Sequence, residues 1–162
     1  MIQRPQSIFL LIVIISLAIA MIVPIWRKQE EAHPASQKTY RIDAWSLQEI
    51  SCGKPVHTSQ FPYAVIGWIG LIAVGIAIYE LFRYNDRGIQ IKLGTLNALV
   101  MIVLLGCILR VTRQQGEHLP LEAPGKYQLG FLSIVVALAS NLLASYYIRR
   151  DDKLVKKSDR IR

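Results

Sequence analysis

Glu80, Asn97 and Asn141 are the residues of this 162-residue chain whose surroundings give their chemistry the most weight. Each lies inside a long apolar run, where a carboxylate or amide needs a partner, an ion or a proton to offset the loss of water. Glu80 is the one ionisable side chain within such a run, two residues from its end, with Arg83 and Tyr84 following at i+3 and i+4. That spacing predicts a paired carboxylate at the edge of the apolar layer, with a proton or ion relay as the alternative. Asn97 lies five residues past Lys92, and Asn141 eight residues before Arg149. Their depths are comparable, and a direct Asn97–Asn141 hydrogen bond is within reach.

The remaining reactive side chains point away from catalysis. His33, His57 and His118 all fall outside the apolar runs, which removes a haem held by two histidines within a bilayer. They have no close ligand spacing, so a metal site built with Cys52 would need three separated segments to converge. Cys52 and Cys107 do not form a Cys-x-x-Cys, and a thiol relay to quinone lacks its working pair. An oxidising compartment permits a Cys52–Cys107 bridge, although two free thiols are the reading the sequence favours. There is no Gly-x-Ser-x-Gly elbow, phosphate loop or dinucleotide fingerprint. The expectation is therefore no catalytic residue, no cofactor and no metal, and a protein that leans away from being an enzyme.

The elements that position these residues follow from where the charge is. The chain is 52% hydrophobic and 19% charged, with a formal charge of +8. Its charges are gathered into blocks while the apolar residues run together, which excludes a disordered polymer, a disulfide-rich miniprotein and a soluble enzyme. Four apolar runs cover residues 7–26, 62–82, 93–109 and 128–148. At about 1.5 Å per residue, roughly 20 residues cross a hydrocarbon core of about 30 Å. The third run is the shortest, and Lys92 and Arg110 can reach outward from its ends. No run alternates as a lipid-facing strand would, and backbone groups in lipid must be paired within the segment. The fold class is thus an all-α membrane protein, a bundle of four transmembrane helices forming a single domain, 1–162. Cleavage of the first run as a signal peptide at Ala18–Ala20 is disfavoured, because Met21, Ile22 and Val23 continue the apolar stretch.

Orientation follows from Lys and Arg density. Residues 1–6, 83–92 and 149–162 hold 11 bases in 30 residues, whereas 27–61 and 110–127 hold 8 in 53. The denser side is expected to be cytoplasmic, with both termini inside. Trp26, Phe61, Tyr63, Tyr84, Tyr127, Tyr146 and Tyr147 fall near the ends of the runs, where amphipathic rings prefer to sit. Small residues share faces that would let helices approach: Ser133, Ala137, Ser140 and Ala144 with Asn141 at the edge; Gly94 and Ala98 beside Asn97; and Gly70, Ala73 and Ala77 in line with Glu80.

Outside the helices, the 35-residue loop 27–61 is polar, and 39–47 partly alternates like a short strand or hairpin arm. Gly53 and Pro55 read as a turn, and Pro120, Pro124 and Gly125 argue against regular structure in most of 110–127. The two loops are expected to cover the outer end of the bundle together. The tail carries Arg149, Arg150, Lys153, Lys156, Lys157, Arg160 and Arg162. It reads as a helical extension lying against anionic headgroups or a partner, with Asp152 and Lys156 paired at i, i+4 and Leu154 and Ile161 as apolar footholds. Topology accounts for the positive charge, so no nucleic-acid partner is expected.

The opening Met1-Ile-Gln-Arg-Pro-Gln-Ser7, the segment Arg87-Gly-Ile-Gln-Ile-Lys-Leu-Gly-Thr-Leu-Asn97 and the tail from Ile148 to Arg162 together resemble the domain of unknown function 4293 family. Pro5 is a minor departure from that pattern. The resemblance implies four-helix membrane topology in a bacterial inner membrane of Bacteroidota, and brings no activity or catalytic residue with it. Two main functional readings follow: a structural or accessory subunit of a larger membrane assembly, or a small transporter or ion-coupled protein using Glu80, Asn97 and Asn141. An enzyme acting at the outer face through the histidines and Cys52 is the third.

Overall fold

The computed structural model describes residues 5–29, 38–51, 54–83, 86–118 and 125–159, with side chains at 6–29, 38–51, 55–83, 86–114 and 125–154. Four helices carry most of the chain: α1 (Pro5–Ile22), α2 (Ala64–Phe82), α3 (Arg87–His118) and α4 (Leu129–Asp159). Five strands, β1 (Trp26–Gln29), β2 (Lys38–Ile42), β3 (Leu47–Ser51), β4 (Lys54–Ser59) and β5 (Lys126–Tyr127), form one antiparallel sheet in the order β4-β3-β2-β1-β5. Helices α2, α3 and α4 are long and apolar enough to cross a membrane; α1 is equally apolar but shorter.

The helix ends differ from the four apolar runs for local reasons. The first run was expected to reach Trp26, but α1 stops at Ile22 because Pro24 has no N–H and disfavours helix at the residue before it. Trp26 instead opens β1. Helix α3 begins six residues before its apolar run and continues nine beyond it, since Arg110–His118 holds no proline and its single glycine, Gly116, falls within the last turn. Its 32 residues span about 48 Å. Irregular structure was expected there, and only 119–124, with Pro120 and Pro124, lie outside the described residues. Helix α4 runs without a break from Leu129 into the basic tail as far as Asp159, which bears out the helical extension.

The fold is not all-α as expected: the largest departure is the five-stranded sheet. The expected loop 27–61 is four strands; of the expected strand or hairpin arm 39–47, residues 39–42 belong to β2 and Leu47 opens β3, parted by a tight turn in which the Asp43 N–H donates to Ser46 O (2.9 Å). Pro55 lies within edge strand β4, where its missing N–H is tolerated next to a register shift at Glu49/Ile50, rather than in a turn. Gly53 lies outside the described residues. The second loop joins this sheet through β5, pairing Trp26 with Tyr127 and Arg27 with Lys126, so the two loops do cover one end of the bundle together.

Side chains stack in layers along the bundle axis. Under the sheet lie Trp26, Ile42 and Tyr63. Trp26 and Tyr63, expected at an interface, are buried there, whereas Phe61, Tyr127 and Tyr146 are exposed; Tyr84 lies outside the described residues. The next layer holds Ala20, Ile25, Ala44, Ile66, Leu104, Ile108 and Ile134. The hairpin tip is driven into it: Ala44 is fully buried, and the Trp45 ring lies where a side chain on Gly67 would begin (2.6 Å). Below come Val13, Leu17, Ala73, Ala77, Met101 and Ala137. The fourth layer, at the tail end, is polar.

Candidate functional site

That polar layer is made by three helix faces. On α2, Gly70, Ala73 and Ala77 are buried on the stripe that carries Glu80, as their spacing predicted, and Glu80 is 0% exposed. On α3, Gln90, Gly94 and Asn97 recur at i, i+4 and i+7 and all three are buried. On α4, Asn141 and Ser145 recur at i, i+4. Gly94 is the pivot. A side chain there would begin 2.9 Å from Glu80 Oε1 and 2.6 Å from Ser145 Oγ, so only glycine lets both neighbours close on the α3 backbone.

Hydrogen bonds fix two of the amides. Asn141 Nδ2 donates to Gly94 O (2.8 Å), and Gln90 Nε2 donates to the main-chain oxygen of Glu80 (3.2 Å). In each case the NH2 end is held by a backbone carbonyl, which settles which end of the amide is oxygen. The Oδ1 of Asn141 and Oε1 of Gln90 are then left without donors. Both carboxylate oxygens of Glu80 and both amide atoms of Asn97 also lack partners among the described residues. On α1, Gln6 is buried with its Nε2 unpaired.

Two expected pairings are corrected. Glu80 is not paired with Arg83. The helix ends at Arg83, which turns outward to meet Asp86 (3.6 Å) and lies 6.0 Å from the Tyr79 ring centroid, while Glu80 faces the bundle interior. Asn97 does not bond Asn141, because Asn141 reaches the carbonyl of Gly94, one turn nearer the α3 start. Three residues were missed as participants. Gln90 was placed in a connection because α3 begins earlier than its apolar run. The small-residue stripe of α4 does not include Ser145, and the spacing of Gly94 and Ala98 points only to packing. The i, i+4 spacing of Asn141 with Ser145, and of Gln90 with Gly94, is the signal that finds them.

The nearby bases are engaged elsewhere. Arg87 Nη2 meets Asp151 Oδ2 at 3.3 Å, tying the start of α3 to the α4 extension, and Arg149 donates to Thr95 Oγ1 (3.3 Å). The expected Asp152–Lys156 pair cannot be placed, since the Lys156 side chain lies outside the described residues. So do the side chains of Lys157, Arg160 and Arg162, along with Ile161. Arg149, Arg150, Lys153 and Leu154 are exposed.

At the opposite end, chemistry-bearing groups are dispersed or bonded. His57 is exposed on β4, and the side chains of His33 and His118 lie outside the described residues. No group of three His, Cys, Asp or Glu that could hold a metal occurs among the described residues. Cys107 is a half-buried free thiol on α3, and Cys52 lies outside the described residues. Tyr40 OH lies 3.2 Å from Glu49 Oε1, and Thr112 Oγ1 lies 3.2 Å from Tyr127 OH. Burial raises the Tyr63 hydroxyl above the usual phenol range.

A family model described as a domain of unknown function, DUF4293, matches residues 2–161. The chain belongs to that family. No curated protein matches it. Membership covers nearly the whole chain, including every residue of the polar layer and the sheet, and assigns no activity to either.

Proposed function

We propose that this DUF4293 protein is a four-span integral protein of a bacterial inner membrane, with both termini in the cytoplasm, acting as a structural or accessory subunit of a larger membrane assembly. The observation that carries the membrane reading is the outer surface of the bundle. Ile8, Leu11, Ile15 and Ile19 on α1, Trp68, Leu71 and Ile72 on α2, Leu96, Leu99 and Ile102 on α3, and Leu132, Leu142 and Leu143 on α4 are all exposed. In water such a belt would drive aggregation; in hydrocarbon it is solvated. Because α1 contributes to the belt, it counts as the fourth span despite its length, which a thinner local bilayer accommodates. The Trp45–Trp68 pair, edge to face at 6.2 Å, marks the outer interface.

The accessory role rests on what extends beyond the belt. Helices α3 and α4 both continue past the apolar belt, and on the α4 extension Arg150, Lys153 and Leu154 are exposed while Arg149 is exposed and donates to Thr95 on α3. Those basic groups suit anionic headgroups or an acidic membrane partner. Among the described residues no group of three His, Cys, Asp or Glu that could hold a metal occurs. Purification of the full chain in mild detergent, compared with a chain ending after Ile148, tests this reading. The expected result is a defined larger complex for the full chain that is lost on truncation. A lone monomer in both preparations overturns it.

A further inference from the structure

Among the described side chains of α2, α3 and α4, the polar layer leaves five oxygens unpaired against one amide donor, Asn97 Nδ2. Glu80 contributes two unpaired oxygens, and Gln90, Asn97 and Asn141 one each, on three helices that meet at Gly94. The amide donors of Gln90 and Asn141 are held by backbone carbonyls, which leaves only Asn97 Nδ2 to answer those oxygens. Of the bases near in sequence, Arg83, Arg87 and Arg149 are turned to Asp86, Asp151 and Thr95, and Lys92 is exposed. A buried carboxylate in that setting is costly unless positive charge reaches it. Excess oxygen acceptors with a single negative charge are the donor set of a hard, singly charged ion. Zinc would call for histidine or thiolate, and calcium for several carboxylates.

We propose that Glu80, Ser145 and the side-chain oxygens of Gln90, Asn97 and Asn141 bind one small monovalent metal cation of the sodium class beside Gly94. Glu80 Oε1 and Ser145 Oγ, which converge on the same point over Gly94, supply the first two ligands. The ion neutralises the carboxylate and joins α2, α3 and α4 where no side chain bridges all three. Glycine at 94 provides the room. The site is independent of the accessory role, since a chain that purifies alone would still bind the ion.

The test is thermal unfolding of the purified full chain in mild detergent, followed by tryptophan fluorescence, in sodium, lithium, potassium or choline chloride at equal ionic strength. The expected result is a saturable rise in Tm of roughly 5 °C or more in sodium or lithium over choline. Glu80→Gln, which keeps the shape and removes the charge, loses that rise. Superimposable melts in all four salts overturn the proposal, the carboxyl then being neutralised by a proton or by water. A rise that persists in Glu80→Gln overturns it too, by placing the ion elsewhere. If Glu80→Gln fails to fold, Ser145→Ala decides: its half-saturating sodium concentration should increase roughly tenfold, and an unchanged value counts against the site.

Discussion

The two ends of this bundle solve opposite problems. At the sheet end the chain crosses itself repeatedly, and its backbone groups find partners: Ile25 N–H donates to Ile42 O, Gln128 N–H to Ile25 O, and Gly130 N–H to Pro24 O, all within 2.9–3.0 Å, with Arg27 Nε the one buried side-chain atom described there without a partner. Apolar side chains then fill the space between sheet and helices. At the tail end the helices approach as closely, but what they enclose is polar and largely unpaired. The contrast teaches that close packing and hydrogen-bond satisfaction are separate achievements. A region that has the first without the second stores its affinity for something else.

Substitutions can break or sharpen that contrast, each read as unfolding in detergent without added sodium. The largest effect is expected at the sheet end. A side chain at Gly130 would begin 2.7 Å from the carbonyl oxygens of Val23 and Pro24, and backbone cannot swing aside as a rotamer can. Gly130→Ala should cost about 3 kcal/mol or more. Ile42→Ala, emptying a fully buried position under the sheet, should cost about 2–4 kcal/mol. Asn141→Leu removes the donor that answers Gly94 O and should cost about 1–2 kcal/mol. Asn97→Leu runs the other way: it removes two unpaired polar atoms at similar volume and should stabilise by about 1 kcal/mol. A loss there as large as that at Asn141 would mean that Asn97 is satisfied and would erase the asymmetry. The smallest effect is expected for Arg87→Ala, whose partly exposed pairing with Asp151 should contribute below about 1 kcal/mol and fade as salt is raised.

The helices and their buried stripes were legible in the sequence because small and polar residues keep a helical spacing that survives any choice of neighbour. Gly70, Ala73, Ala77 and Glu80 share a buried face as their numbers require. Which group answers which was not legible. Pairing depends on how the helices are rotated against one another and on where α2 ends, and a stop at Arg83 is enough to send that guanidinium to Asp86 instead of Glu80. The sheet escaped because its covered face is chemically mixed. Register places Lys28, Tyr40, Glu49 and His57 side by side on the same face as Trp26 and Ile42, so the alternation that marks a strand is blurred in each short segment. Two-residue β5 has no pattern to read at all. Its existence depends on β1, a hundred residues away.

That last strand sets an order of events. Four of the five strands lie consecutively between α1 and α2 and can zip from neighbouring hairpins as soon as that stretch of chain is made. The fifth must wait for α3 to be completed, and its arrival brings the Gly130 amide to the carbonyl of Pro24. The exit of the first helix and the start of the last are thereby latched by a contact that only the last fifth of the chain can supply. A nascent chain halted before Lys126 would hold a nearly finished sheet over an open bundle.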